Sequence, residues 1–165
     1  LMAGEYQMPD AIHASPPCQH YSEAGKQWRA SGTEYPDLVG VTRSALMASG
    51  RPYVIENVPG APLLNPVILN GAMFGMNLRR VRLFETSFEF PLTLRPSEPP
   101  SGFRMGPSPK ASDPVVPVGH FSGVDRARLV MGCPWMNQHD LAQAIPPVYT
   151  YWIGCQLRRY LRQVL

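Results

Sequence analysis

Lysine is almost missing from this chain: of 15 basic residues only Lys26 and Lys110 are lysines, and the formal net charge is +3. The cation on offer is therefore the planar guanidinium, which suits phosphates and base edges. Arginine-favouring codon usage would give the same composition, so charge alone names no partner. Cysteine is also scarce. Three widely spaced residues, Cys18, Cys133 and Cys155, argue against a disulfide framework and for a reducing compartment. No apolar run approaches the roughly 18 residues needed to span a bilayer. The start, Leu1-Met2-Ala3-Gly4-Glu5, lacks the basic and apolar regions of a signal peptide. A soluble, cytoplasmic protein is expected, with no membrane contact. Neither His13, Cys18 and His20 nor Cys133 with His139 forms a four-ligand spacing, so no metal is expected. There is no internal repeat, and 165 residues at 44% hydrophobic content hold one sizeable core.

What the chain has in quantity is punctuation, with 19 prolines and 14 glycines. Asp10 to Ala14 reads as a short buried strand ended by Ser15-Pro16-Pro17. Cys18 thus lies just past a strand's carboxyl end, the edge where open α/β sheets bind ligands. His20 to Tyr35 is polar and aperiodic, and predicts a mobile loop over that edge. Pro36 opens a helix with Leu38, Thr42, Ala45, Leu46 and Ser49 at helical spacing and Gly50 at the stop. Pro52 to Val58 is a second buried strand whose exit carries Glu56-Asn57. A crossover through the helix would bring Glu56 and Cys18 to one sheet edge. Val67 to Leu69 and Val81 to Glu85 predict two more strands around a Gly71 to Gly75 turn, with Arg80 and Arg82 on one face. Pro91 to Pro117 predicts irregular chain. Val124 to Met131 is a helix stopped by Gly132, Asn137 caps another running to Ala144, and Pro146-Pro147 opens a third. The last carries Tyr149, Ile153, Leu157, Leu161 and Val164 as its apolar stripe.

A thiol on a stiff Pro-Pro-Cys-Gln turn, a carboxyl at a strand exit and two closely spaced guanidiniums form an ordered set. Pro17-Cys18-Gln19-His20-Tyr21-Ser22, Glu56-Asn57-Val58, Leu78-Arg79-Arg80-Val81-Arg82 and Gln143-Ala144-Ile145-Pro146-Pro147 occur in that order. Together they resemble the motifs Pro-Cys-Gln-x-Phe-Ser, Glu-Asn-Val, Gln-x-Arg-x-Arg and Asn-Ala-Val-Pro-Pro of the DNA (cytosine-5)-methyltransferases, closest to the compact phage and bacterial forms. Leu78 stands where the family has glutamine, and Ala142 where it prefers glycine.

The resemblance implies an α/β fold: the carboxy-terminal part of a Rossmann-like S-adenosylmethionine-dependent methyltransferase with a short irregular target-recognition insertion. Residues 1–87 would form a partial catalytic domain, 88–120 the insertion, and 121–165 the helices that complete the catalytic domain. Carbon 5 of cytosine is a poor nucleophile, so such enzymes first add a thiolate at carbon 6. That implies Cys18 as nucleophile, Glu56 as the acid facing the ring nitrogen and amine, and Arg82 on the ring carbonyl. Arg80, with Arg82, would make the turn electropositive. The resemblance also implies that Pro17, Gln143, Ala144 and Ile145 touch S-adenosylmethionine, and that Gln19 and Ser22 contact DNA. Lys26 and Arg29, in the loop, would close over double-stranded DNA whose target base has been swung out of the stack. A monomer is expected in the intact enzyme.

The family's opening Phe-x-Gly-x-Gly motif and the acidic residue that holds the cofactor's ribose are not in this sequence. The chain is therefore expected to be a fragment beginning just before the fourth strand, binding cofactor poorly alone. Two alternatives stay open. One is a non-catalytic DNA-binding remnant of such an enzyme. The other is a nucleotide C5-alkylating enzyme of the thymidylate synthase kind, which shares the Pro-Pro-Cys turn.

Overall fold

A computed structural model describes residues 8–101 and 110–164. Four short strands, β1 (Ile12–Ala14), β2 (Tyr53–Asn57), β3 (Val67–Leu69) and β4 (Arg82–Thr86), form one mixed sheet in the order β1-β2-β4-β3. β1 is parallel to β2, pairing Ile12 with Tyr53 and Ala14 with Ile55, while β4 is antiparallel to both β2 and β3. A parallel pair cannot be joined by a tight turn and needs a crossover. That connection holds α1 (Lys26–Ala30) and α2 (Val39–Ala48). α3 (Val124–Met131), α4 (Gln138–Gln143) and α5 (Pro147–Val164) follow the sheet.

β2 is buried along its whole length because helices cover both sheet faces. On one face Val39 and Leu46 of α2 meet Tyr53, Ile55 and Leu83. On the other, Tyr149 and Ile153 of α5 meet Val54, Leu69, Phe84 and Phe88. The alternation of a strand's side chains explains the split, since Leu83 and Phe84 are neighbours in β4 that point to opposite faces. Each fully buried aliphatic or aromatic side chain contributes about 1.5–3 kcal/mol. A third cluster joins Leu78 and Val115 to Ala127, Met131, Cys133 and Leu141, seating α3 and α4 beside the sheet. Cys133, 1% exposed, behaves as a small apolar core residue, and burial pushes its thiol pKa up.

The apolar stripe of α5 stops earlier than its sequence spacing suggests. Tyr149, Ile153 and Gln156 are buried, whereas Val164 is exposed. Eighteen helical residues span about 27 Å and a five-residue strand about 17 Å, so the helix outruns the sheet it packs on. Phe88 continues the contact by stacking on Tyr160 at 5.3 Å.

Boundaries elsewhere reflect side-chain chemistry. α2 begins at Val39 rather than beside Pro36, because the Asp37 carboxylate accepts the Val39 N–H. Asn137 and Asp140 form a reciprocal capping box at α4. The stretch expected to be a mobile loop after His20 contains a 3-10 turn, Glu23–Gly25, and then α1. Ser22 Oγ accepts the Gly25 N–H, and Arg29 donates to the carbonyls of Gln19 and Ser22. An element of five residues is too short to leave a periodic signature. The expected insertion carries no regular helix or strand among its described residues, and 102–109 lie outside them. Its returning end pairs with the body: Arg79 N–H donates to Val115 O at 2.8 Å and Val115 N–H to Asn77 O at 2.9 Å.

One side chain from α2 pins the sheet. Arg43 grips Glu85 of β4 with two hydrogen bonds of 2.7 Å, and Leu64 N–H and Tyr53 Oη add to the carboxylate's partners. Burial alone would raise the Glu85 pKa. The Arg43 hydrogen bond, the Leu64 N–H and the Arg43 charge outweigh it and hold the carboxyl below its usual value.

Two predictions follow from packing and charge. A Cβ at Gly71 would meet Leu78 O at 2.4 Å, whereas one at Gly154 in α5 meets nothing within 4 Å. Gly71→Ala should therefore destabilise by about 1–3 kcal/mol, and Gly154→Ala should stabilise by about 0.5–1 kcal/mol, measured by urea unfolding. For Glu85, the depressed folded pKa means that its contribution is present above the unfolded carboxylate pKa and is lost as pH falls through the folded value. Glu85→Gln should cost about 3 kcal/mol at pH 7 and should flatten the stability profile below about pH 4.5, read from unfolding curves across pH.

Candidate active site

The β1–β2 register sets the site. With Ala14 level with Ile55, the chain leaving β1 runs alongside the last residues of β2, and the Asn57 amide donates to Pro16 O at 3.0 Å. This bond ties the exit of β2 to the Pro16-Pro17-Cys18 turn. The turn closes on itself, since the Tyr21 and Ser22 N–H groups both donate to Cys18 O at 3.0 and 2.9 Å. Tyr21 Oη donates to Asp37, just ahead of α2, and His20 Nδ1 is 2.8 Å from Tyr35 O.

Cys18, Glu56 and Arg82 line a single cleft of about 230 Å³, together with Ser15, Pro16, Pro17, Gln19, Val58, Ala142 and Gln143. Glu56, next to last in β2, and Arg82, first in β4, project to the α5 side of the sheet and form an ion pair with Nε to Oε1 at 3.0 Å. Both are nearly buried, with side-chain exposures of 7% for Glu56 and 14% for Arg82. Burial lowers the Arg82 pKa, while Glu56 and then Cys18 pull it back up. A half-buried thiol, a buried carboxyl and a buried guanidinium thus share one small polar space.

Arg80 does not share the strand face expected for it. It precedes β4, is 3% exposed, and sends Nη1 to Pro117 O at 2.6 Å and Nη2 to Ala142 O at 2.9 Å. Burial first, then the like charge of Arg82, pull its pKa down to about 9, with Glu56, Tyr149 and Cys18 opposing. The guanidinium is still charged at neutral pH. Its own carbonyl accepts the Tyr149 hydroxyl of α5 at 2.8 Å. Burial pushes the pKa of that hydroxyl up against the pull of Arg82 and Arg80.

The other candidates divide. Pro17, Gln19 and Gln143 line the cleft. Ala144 packs against the α3–α4 cluster and Ile145 against the α5 cluster, and neither lines the cleft. Ser22 and Arg29 hold the turn that follows Cys18 together, and Lys26 is exposed at the start of α1. Ala142, Tyr149 and the Pro117 carbonyl have roles that residue type alone did not reveal. A backbone acceptor carries no sequence signal. A larger groove of about 620 Å³ runs from β3 to Pro99 and contains none of the chemistry-bearing candidates.

Among the described residues, no group of three or more His, Cys, Asp or Glu could hold a metal ion, and no helix is long and apolar enough to cross a membrane. Comparison with family models, curated proteins and solved structures finds no match to this chain.

The ion pair has a measurable consequence. Arg82→Met leaves a buried carboxylate without its partner and should cost about 3–5 kcal/mol. Adding Glu56→Gln to Arg82→Met should recover most of that loss, seen as a strongly non-additive double-mutant cycle in urea unfolding.

Proposed function

We propose that this chain carries the catalytic cleft of a DNA cytosine C5 methyltransferase, with Cys18 as the nucleophile. The observation that carries the reading is the convergence of Cys18, Glu56 and Arg82 on one cleft from three separate segments. A thiolate adding to carbon 6 of a cytosine ring forms a carbon–sulfur bond and pushes an electron pair into the ring. A carboxyl facing the ring nitrogen and amine offsets that charge once it has taken up a proton, the role of Glu56, whose carboxylate must first give up its ion pair with Arg82. A guanidinium at the ring's carbonyl oxygen stabilises the same charge, the role of Arg82. The excess positive charge of Arg80 and Arg82 over Glu56 favours the anionic ring. Once carbon 5 has bonded the methyl group that the cofactor would supply, loss of the carbon-5 proton to solvent and expulsion of Cys18 as thiolate restore the aromatic base.

Only a base outside the helical stack reaches a cleft of this size, so duplex DNA is read as a substrate whose target nucleotide is swung out. S-adenosylmethionine, when bound, supplies the methyl group. Pro17 and Gln143 fit one side of that cofactor, since both line the cleft beside Cys18. Ala144 and Ile145, which do not line the cleft, would support rather than touch it.

The decisive experiment is covalent trapping on duplex DNA containing 5-fluorocytosine, with S-adenosylmethionine and a glycine-rich cofactor-binding half supplied in trans. Replacing the carbon-5 hydrogen by fluorine blocks the final elimination, so a stable protein–DNA adduct is expected, absent in Cys18→Ser and weakened in Glu56→Gln. DNA bound without any adduct would favour the non-catalytic remnant, and alkylation confined to free nucleotides would favour the thymidylate-synthase-like chemistry.

A further inference from the structure

Arg80 sits where three parts of the molecule meet. Two residues later Arg82 enters the cleft, Ala142, held by one Arg80 nitrogen, belongs to the cleft wall, and Pro117, held by another, lies near the returning end of the 88–120 insertion. The insertion's return is stitched to the residues just before Arg80. Asn77 O and Arg79 N–H pair with Val115, and the Asn77 amide donates to the carbonyls of Ser112 and Asp113 at 3.2 and 3.4 Å. A pull on residues 112–117 therefore reaches the guanidinium both through Pro117 O and along the chain from Asn77.

The donor set of Arg80 is incomplete. Its Nε is buried and finds no acceptor among the described residues. A buried donor without a partner costs about 1–3 kcal/mol, a cost that a single rigid role of bridging two carbonyls does not explain. A guanidinium with one nitrogen unengaged can exchange acceptors when a neighbouring carbonyl moves. Lysine, a point charge with rotatable donors on a flexible stem, would not fix the separation of the two carbonyls.

We propose that Arg80 is a positioning residue that couples the returning end of the insertion, Val115–Pro117, to the cleft wall at Ala142–Gln143. It acts through carbonyl oxygens and touches no substrate. A ligand that displaces the insertion would thereby reset the wall against which Cys18 works. The coupling goes beyond the methyltransferase reading and does not depend on which reaction the cleft performs.

The test needs neither DNA nor cofactor. Asn77→Ala loosens residues 112–113 at an exposed site, and amide hydrogen exchange is read at residues 142–144 together with the rate of Cys18 alkylation by iodoacetamide. Asn77→Ala should speed exchange at 142–144 by about threefold or more in the parent chain, and should shift the alkylation rate with it. In the Arg80→Met background the same change should produce no further increase at these amides, and in Arg80→Lys an intermediate one. If Arg80→Met does not fold, the comparison of parent with Arg80→Lys decides. A purely structural role would raise exchange throughout the molecule and leave the two substitutions additive. Additivity, or unchanged exchange at 142–144 when Asn77→Ala is made in the parent chain, overturns the proposal. Trapping on fluorinated DNA reports separately, so either idea can fail without the other.

Discussion

The parallel pairing of β1 and β2 is the constraint on which the cleft depends. Three residue pairs fix the register, and because side chains alternate along a strand, a slip of one residue would turn Glu56 to the α2 side of the sheet. The Asn57 amide on Pro16 O extends that register past the end of the regular ladder, to the residues on which the thiol is carried. The two prolines then remove rotational freedom from the turn. Cys18 meets Glu56 because a backbone register, an amide and two pyrrolidine rings act in sequence, each correcting what the previous one leaves loose.

Charge is concentrated at this edge and compensated in two ways. Arg82 is balanced by Glu56, charge against charge. Arg80 makes its hydrogen bonds to carbonyl dipoles, with Glu56 acting on it only through its charge. Dipoles offset a buried charge less completely than a carboxylate does, which is why burial and its neighbour together draw the Arg80 pKa down so far. The arrangement leaves net positive charge beside the Cys18 cleft.

Much of this was legible in the sequence, and the reason is local. Prolines, glycines and capping residues mark ends: Gly50 after α2, Gly132 after α3, Asn137 before α4 and Pro147 opening α5 all interrupt or start backbone hydrogen bonding at their own positions. The strands showed as short apolar runs, and the gathering of Cys18 and Glu56 needed only one crossover. What did not show is non-local. Arg43 and Glu85 lie 42 residues apart, and nothing in either position announces the other. The strand order places β4 between β2 and β3 through pairing choices that no single segment contains. α1 arises from Arg29 reaching back to the carbonyls of Gln19 and Ser22, and from Gly25, where a Cβ would sit 2.6 Å from Gln19 O. Neither produces a period.

The scarcity of lysine finds a physical reason in the fold. Proline cannot donate a backbone hydrogen bond but still presents a carbonyl, and irregular chain leaves further carbonyls without ladder partners. Here the acceptors are met by arginines: Arg29 on Gln19 and Ser22, Arg43 on Pro62, Arg80 on Pro117 and Ala142, Arg126 on Lys110 and Asp113, and Arg128 on Met136. A planar fork holds two carbonyls in a fixed geometry, where an ammonium with three rotatable donors on a flexible stem would not fix their separation. Five of the thirteen arginines are thus engaged in holding backbone carbonyls rather than free for phosphates. Those that do reach the cleft inherit their placement from that work, because the segment that delivers Arg82 is the one Arg80 anchors.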